Sequence, residues 1–594
     1  MILTADFETT TNELDCRVWA WGVCEVGNPA YFQYGNSIDG FMDFMRHSEN
    51  STFYFHNLKF DGEFILCWLF ENGFKWVKSR NEADTKTFTT LISDKGQFYS
   101  IKIYFEKKGK KTNAVTIYDS LKILPFSVSQ IAKGFNLPIS KLEIDYNEER
   151  PVGHVLTETE VDYLRNDVDI VARALNVLFE QGLNKMTQAG NAMYDYKNTV
   201  GEKSFKRWFP VPDYDADVRQ SYKGGFTYLL TKYKNLDIGA GLVLDVNSLY
   251  PWVMHDCPLP YGDGVFFNGQ YEKDKLYNLY VQMFRCQFEL KEGYIPTIQL
   301  KNNLSFIPTQ YLESSDGEEV VMCLTSVDLE LFFEHYNVYN IEYIAGWKFK
   351  STVGLFTEYI DKWTAVKIES GKTGNKAMRT LAKLMLNALY GRFALNPNVC
   401  SKIPYYDNGI IKYTLGDKET RDPIYIPVGT FITAWARHKT ITSAQKMYKY
   451  FVYADTDSLH LNIPLPDEML EMSNEDLEKM TTADLQKFGI DIPDDFIVDP
   501  YELGAWKVEE VFRRARYIRQ KSYIHDYNTA DTWGGEGYDP KALKITCAGM
   551  PEQCYKYVTW ENFREGQSYQ GKLQPKHVQG GIILKDIDFT IKKG

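Results

Sequence analysis

Two stretches carry acids where core residues belong: FVYADTDSLH at 451–460 and GLVLDVNSLYP at 241–251. Each reads as an apolar strand. Side chains two apart on a strand share a face, so Asp455 and Asp457 are expected side by side. Carboxylates so placed repel each other, and unpaired buried charge is costly. Something positive must lie between them, either Lys or Arg side chains or metal ions. The fold has to bring remote segments together around that charge.

At 594 residues the chain exceeds one core, and three to five compact units are expected. With 44% hydrophobic and 25% charged residues it reads as folded and soluble rather than disordered. The net charge of −12 argues against a simple basic DNA-binding module but leaves room for local tracks. Lys107, Lys108, Lys110 and Lys111 read as a solvated face. Arg513, Arg514, Arg516, Arg519 and Lys521 alternate with Phe512, Tyr517 and Tyr523, as in a phosphate track with stacking rings. Nine cysteines without a C-x-x-C suggest neither a zinc site nor a disulfide framework, and fit a reducing cytosol. The start MILTADFETT has no signal-peptide character, and no apolar run is long enough to span a bilayer.

Along the chain, ILTADF, STFYFH, FYSIKIYF and AVTIYDS read as strands. A helix is expected after the capping box of Thr157 and Glu160. Strands follow around GGFTYLL and GLVLDVNSLYP, then a strand-rich stretch over 257–357. NKAMRTLAKLMLNALYGRFA is a strong helix, and Asp407, Asn408 and Gly409 mark a hairpin turn. Residues 467–495, with ten acids and two lysines, read as an exposed insertion rather than core.

Asp245, at the end of its strand, is the best partner for Asp457. Together they could hold two Mg²⁺ or Mn²⁺ ions, which favour carboxylate oxygens and keep sites for water and phosphate. Such a pair can activate a 3′-hydroxyl and stabilise a leaving pyrophosphate. Tyr250 would block a ribose 2′-hydroxyl. On the helix, Arg379, Lys383, Asn387 and Tyr390 share one stripe, with Leu381, Leu384, Met385 and Ala388 opposite. Lys367 and the Gly371–Gly374 turn lie just before it. Two cations, an amide and a ring suit an incoming triphosphate and its base. In the N-terminal third, Asp6 and Glu8 share a strand face, Asp61 follows, and Tyr163 and Asp167 project together from the capped helix. Four acids and a tyrosine can bind two ions and orient a water toward a phosphodiester.

DVNSLYP, KLMLNALYG and YADTDS in this order resemble motifs A, B and C of family B DNA polymerases. The similarity is greatest to the protein-primed branch of small tailed bacteriophages, the phi-twenty-nine type. YKGGF (222–226) resembles that branch's YxGG element, and KSY (521–523) its KxY element. The N-terminal acids resemble the tyrosine-containing DEDD 3′→5′ exonucleases. The resemblance covers nearly the whole chain. It implies an α/β fold, an RNase H-like exonuclease domain joined to a right-hand polymerase with palm, fingers and thumb. The expected divisions are exonuclease 1–185, palm 186–256 and 427–550, insertions 257–357 and 395–426, fingers 358–394 and thumb 551–594.

By the same resemblance, Asp245, Val246 and Asp457 would be metal ligands with Asp455 in support, and Tyr453, Lys521 and Tyr523 would steady the primer. Thr9, His56, Asn57, Phe60, Ser120, Leu121 and Lys141 would line the exonuclease groove. Tyr222, Gly224, Gly225 and Arg437 would meet DNA. His56 reads equally well as a structural histidine. The insertions would contact a priming terminal protein and encircle DNA. Expected partners are primer–template DNA, deoxynucleoside triphosphates, the terminal protein and a single-stranded DNA-binding protein, with no membrane. A monomer in the cytoplasm of an infected bacterium follows. The rivals are a reverse transcriptase, against which Thr456 stands where a second Asp would be, a DNA-binding replication factor without catalysis, and a pure nuclease.

Overall fold

A computed structural model describes residues 1–593 apart from 110, 147, 301–304, 306, 308, 309, 534 and 536, and omits the side chains of 108 and 111. Of the first basic track, Lys110 and the side chains of Lys108 and Lys111 therefore lie outside the described residues. Lys107 donates to the Ala83 carbonyl.

The strand Ile2–Thr9 lies inside an eight-stranded sheet. It pairs antiparallel with Val18–Glu25 and parallel with Thr52–Phe55, which is in turn parallel to Lys111–Asp119. Alternation sorts its side chains. Leu3, Ala5 and Phe7 pack with Phe41, Phe53 and Phe64. The even residues turn the other way, where the Thr4 hydroxyl donates to the Val168 carbonyl of helix Glu158–Glu180 at 2.8 Å. That helix begins at the expected capping box: the Thr157 hydroxyl accepts from the Glu160 N–H, and Glu160 accepts from the Thr157 N–H at 2.9 Å.

A second, five-stranded sheet has the order Trp506–Phe512, Gly241–Val246, Ser458–Leu461, Phe451–Asp455, Thr227–Leu229. The buried helix Ile426–Lys446 packs behind it. Two helices, Thr357–Lys372 and Lys376–Ala388, form an antiparallel pair around Gly374, whose φ of 71° suits the tight turn. The strand-rich stretch is a four-stranded sheet of Leu259–Asn268, Tyr336–Thr352, Leu279–Leu290 and Val320–Thr325, carrying helix Ser326–His335. The strands Asn398–Asp407 and Ile410–Thr420 form a hairpin at the expected place, with Asn408 and Gly409 at φ 50° and 85°. Near the C-terminus, Ile518, Ile524 and Cys547 share a core with Cys554, Phe563 and Phe589, so packing crosses residue 550 without a break. Among the described residues no helix is long and apolar enough to cross a membrane.

The acidic stretch 467–495 corrects the reading of an exposed insertion. Three short helices, Asp467–Leu470, Asn474–Leu477 and Thr482–Lys487, bury Met469, Leu477 and Leu485, and the segments between and after them bury Met480, Ile490 and Ile492, in the core of the second sheet. Its acids face outward, where Asp491 and Asp495 pair with Lys449 and Lys446, and Glu471 pairs with Arg513. The apolar residues spaced among its acids are one half of a packed surface.

Arg437 is a second correction. Its guanidinium is buried, pairs with both oxygens of Asp328 at 2.7–3.0 Å, and donates to the carbonyls of Lys223 and Gly224 at 2.8 Å. It holds the YKGGF segment in place from within and has no face left for DNA.

The hairpin 398–420 and a second one, Ser568–Val578 with Gly581–Thr590, meet tip to tip over helix Leu58–Glu71: the Gly580 N–H donates to the Gly409 carbonyl at 3.3 Å. Beneath them the Tyr413 hydroxyl donates to Glu63 Oε1 at 2.7 Å, and His577 Nδ1 stands 3.5 Å from Glu63 Oε2, which has no hydrogen-bond partner. Burial pushes the Glu63 carboxyl up to about 8, against the opposing pull of Tyr413 and Lys59. The folded state thus binds a proton that the unfolded chain releases near 4.5, and this contribution to stability is lost as pH rises from there toward 8. Glu63→Gln keeps the hydrogen-bonding shape without the ionisation. Its thermal midpoint, compared with the parent's across this pH range, is expected to gain steadily as pH rises. A difference that stays constant with pH would show that Glu63 is ionised in the folded protein.

Candidate functional site

In the second sheet, two neighbouring strands run antiparallel and bring Asp245 opposite Ser458, next to Asp457. The strand Phe451–Asp455 ends at the first acid of the D-x-D. Thr456 follows at φ 60°, in the left-handed region, and the next strand starts at Ser458. Asp455 and Asp457 are therefore not the i and i+2 residues of one strand face; a turn separates them. The Val246 N–H donates to the Asp457 carbonyl at 2.7 Å and locks the turn against the Asp245 strand.

The two acids of the turn have different surroundings. Asp455 is neutralised by protein: Lys521 Nζ donates to both its oxygens at 2.7 and 2.8 Å, the Thr227 hydroxyl at 3.0 Å and the Tyr453 hydroxyl at 3.2 Å. Lys521 itself sits at φ 55°, and its N–H donates to the Tyr453 hydroxyl at 2.9 Å. Tyr453 is fully buried, with its ring against Tyr517 and Tyr523. Asp457 and Asp245 are not so compensated. Burial, then the charge of Asp457, pushes Asp245 up to about 7 despite Lys507. Burial likewise raises Asp457, with Asp455 and Glu509 adding repulsion and Lys521 opposing it.

Facing them is helix Lys376–Ala388, which buries Leu381, Ala382, Leu384, Met385 and Leu386 and exposes Arg379, Lys383 and Asn387. The helix breaks before Tyr390, which opens a separate turn of helix, Tyr390–Phe393. This turn stacks the Tyr390 ring on Tyr250 with centroids 4.0 Å apart and planes at 15°. Lys367 Nζ lies 3.4 Å from the Ser248 hydroxyl. Burial, then the neighbouring cations, holds both Lys367 and Lys383 below the usual lysine range. A cleft with two under-neutralised acids on one wall and crowded cations on the other suits a polyanion carried with metal ions.

YKGGF meets the turn directly. The Thr456 N–H donates to the Phe226 carbonyl at 2.6 Å. A Cβ on Gly225 would lie 2.6 Å from Thr456 Oγ1 and 2.8 Å from its methyl. Tyr222 is half-buried and Gly224 exposed beside it.

The N-terminal set also converges. Asp6 and Glu8 face the helix that carries Tyr163 and Asp167, while Asp61 enters from the first turn of helix Leu58–Glu71. Burial, then Asp167, pushes Asp6 up to about 7, and burial, then Asp6, raises Glu8 and Asp61 far above the usual carboxyl range. Lys141 Nζ donates to Asp167 Oδ2 at 2.9 Å, and Asp167 Oδ1 is buried without a partner. The Tyr163 hydroxyl lies 2.8 Å from that of Tyr146. Thr9 and Leu121 are half-buried at the rim, as is Phe60; Asn57 is exposed at φ 77°. The Ser120 hydroxyl is buried and donates to the Phe55 carbonyl at 3.0 Å. The His56 Nε2 N–H donates to the Phe126 carbonyl at 2.7 Å and Nδ1 lies 3.0 Å from Ser120 Oγ, so both ring nitrogens face protein groups.

Among the described residues, no three acids, thiols or imidazoles already close on one point at ligand distance. The fit to metal ions rests on charge: both sets hold buried carboxylates that repel each other, and in the N-terminal set Asp167 has a buried oxygen without a partner.

Sequence reading missed three residues. Asp119 Oδ1 accepts from the Asn57 and Leu121 N–H groups at 3.0 Å and so sets the rim of the first site. Lys507 lies 3.6 Å from Asp245 Oδ2, and Glu509 adds charge against both Asp245 and Asp457. Only strand register brings the last two to the cleft.

This architecture, two acid sites on two sheets with a basic helix over the second, defines a nucleic-acid polymerase joined to an exonuclease-type domain. The chain belongs to the DNA polymerase type B family, organellar and viral, whose model matches residues 42–475. It is 47% identical to the DNA polymerase of Bacillus phage M2, over 100% of this chain and 99% of that one. It is 46% identical to the DNA polymerase of Bacillus phage phi29, over 99% and 98% of the two chains. The solved structure of phi29 DNA polymerase complexed with primer-template DNA matches with a TM-score of 0.88 and 45% identity, over 100% of both chains.

Because Gly225 abuts Thr456, Gly225→Ala is expected to shift the turn that carries Asp455 and Asp457 and lower primer elongation by roughly 10- to 100-fold, while 3′-shortening persists. Adding Thr456→Gly removes the clashing side chain and suits the positive φ, so the double variant should recover part of the loss. No recovery would mean that Gly225 acts elsewhere.

Proposed function

We propose that this DNA polymerase copies a linear phage genome from a protein-primed start by two-metal nucleotidyl transfer, with a 3′→5′ exonuclease that removes mispaired ends. The observation that carries the polymerase part is the meeting of Asp245 and Asp457 at adjacent strand ends opposite Arg379, Lys383 and Lys367.

Asp245, Asp457 and the Val246 carbonyl would hold Mg²⁺, or Mn²⁺ in its place. When bound, the two ions lower the barrier to in-line attack of a 3′-hydroxyl on the α-phosphate and stabilise the leaving pyrophosphate. The chain's own groups do the rest. Lys383, Lys367 and Arg379 bind and orient the triphosphate. Tyr250, braced by Tyr390, blocks a ribose 2′-hydroxyl, and Asn387 borders the base. Lys521 and Tyr453 fix Asp455, which keeps the turn rigid, and with Tyr523 they steady the primer end.

In the first site Asp6, Glu8, Asp61 and Asp167 would hold the second metal pair, and Tyr163 would orient the attacking water. Lys141, held on Asp167, adds positive charge where the phosphodiester develops negative charge. Thr9, Asn57, Phe60 and Leu121 border the groove for a frayed single strand. The insertions 257–357 and 395–426 are read as contacts for a terminal protein and for DNA, supporting processive, strand-displacing synthesis. The relatives that support this reading include phi29 DNA polymerase complexed with primer-template DNA and incoming nucleotide substrates.

A 5′-labelled primer–template with Mg²⁺, run with and without the four deoxynucleotides, tests both sites. The expected result is elongation with nucleotides and shortening without them. Asp457→Ala should abolish only the first and Asp61→Ala only the second. Shortening without any elongation would sink the polymerase mechanism. Extension on an RNA template as fast as on DNA would favour the reverse-transcriptase alternative.

A further inference from the structure

We propose that Lys507 is a further triphosphate-binding residue of the polymerase site, a cation held on Asp245 until the nucleotide's phosphates arrive. This rests on the polymerase reading above.

Strand register puts Lys507 there. The strand Trp506–Phe512 runs antiparallel to Gly241–Val246, with Asp245 directly opposite Lys507. Directly opposed residues point to the same face of a sheet, so the ammonium projects into the same cleft as the catalytic acids. Its nitrogen is 3.6 Å from Asp245 Oδ2, a loose pair rather than a short charge-assisted bond, and its side chain is 33% exposed. The group is tethered but free to swing on its four-carbon stem.

Its other neighbours are cations. After burial, the charge of Lys507 is among those that hold down both Lys367 and Lys383, alongside Arg379. Lys507 thus lies within electrostatic reach of the two lysines read as triphosphate ligands, on the opposite wall of the cleft. Glu478 counters this repulsion at Lys383. Four cations around one cleft suit a ligand with several negative charges in a row, and a nucleoside triphosphate supplies them.

The test uses the full chain on a dideoxy-terminated primer–template with Ca²⁺, so that nucleotide binding is read without chemistry. The dissociation constant of the next correct deoxynucleotide is measured by gel retardation for the parent, Lys507→Met and Lys507→Arg. Inhibition by pyrophosphate is measured in parallel. Loss of one charge-assisted phosphate contact should weaken both ligands by about tenfold in Lys507→Met. Lys507→Arg should restore most of it, and DNA binding without nucleotide should stay within about twofold of the parent. Melting temperatures without metal or DNA confirm folding, and Lys507→Gln replaces the Met variant if that one does not fold.

Nucleotide and pyrophosphate binding unchanged within about twofold in the neutral variants would overturn the proposal. So would a loss that arginine does not rescue. Either result leaves the polymerase reading standing, because in this assay that reading falls if the parent itself gains no affinity for DNA from the correct nucleotide.

Discussion

Like charges buried together repel, and both sites of this protein are built against that repulsion. Asp6, Glu8 and Asp61 crowd one cleft, and Asp245 and Asp457 the other, with too little positive charge from the protein to balance them. Left free, such groups would move apart or draw in water. The scaffold prevents this with main-chain constraints. Asp6 and Glu8 sit on a strand paired on both sides, and Asp457 sits on a turn fixed by hydrogen bonds from Val246 and Thr456. The protein supplies a permanent counter-charge to only one acid of the turn, Asp455. On the proposed mechanism, the rest of the deficit is left for the substrate and its metal ions. Binding energy that comes from relieving repulsion is available only when the correctly charged partner arrives.

Much of this was legible in the sequence. Apolar alternation located the strands, Thr157 and Glu160 marked the helix that carries Tyr163 and Asp167, and Asn408–Gly409 marked the hairpin. These features are local, since a capping box or a two-residue turn is decided by neighbours in the chain. The D-x-D was legible as an acid cluster but not as a geometry, because one left-handed residue, Thr456, turns a strand face into a hairpin corner. A threonine at positive φ, unlike the Asn and Gly of the hairpin, leaves no compositional trace. Lys507 and Glu509 were invisible for another reason: only pairing with a strand over 250 residues earlier brings them to the cleft. Arg437, assigned to DNA by resemblance, and the acidic stretch 467–495 turn out differently for the same cause. A charge on an apolar helix, or apolar residues spaced among acids, can face either way until the partner surface is known.

The contact between the two hairpin tips has its own consequence. At the very tips it is a main-chain hydrogen bond, from the N–H of Gly580 to the carbonyl of Gly409, and both residues need a positive φ. A Cβ on Gly581 would also run into the Phe64 ring at 2.5 Å. The junction therefore constrains chain length and turn shape far more than side-chain identity away from the tips. Over evolutionary time the strands of either hairpin can drift in sequence while the joint persists. Inserting or deleting a single residue in one tip would shift the register of both and break it, so length variants at this point should arise only as compensated pairs.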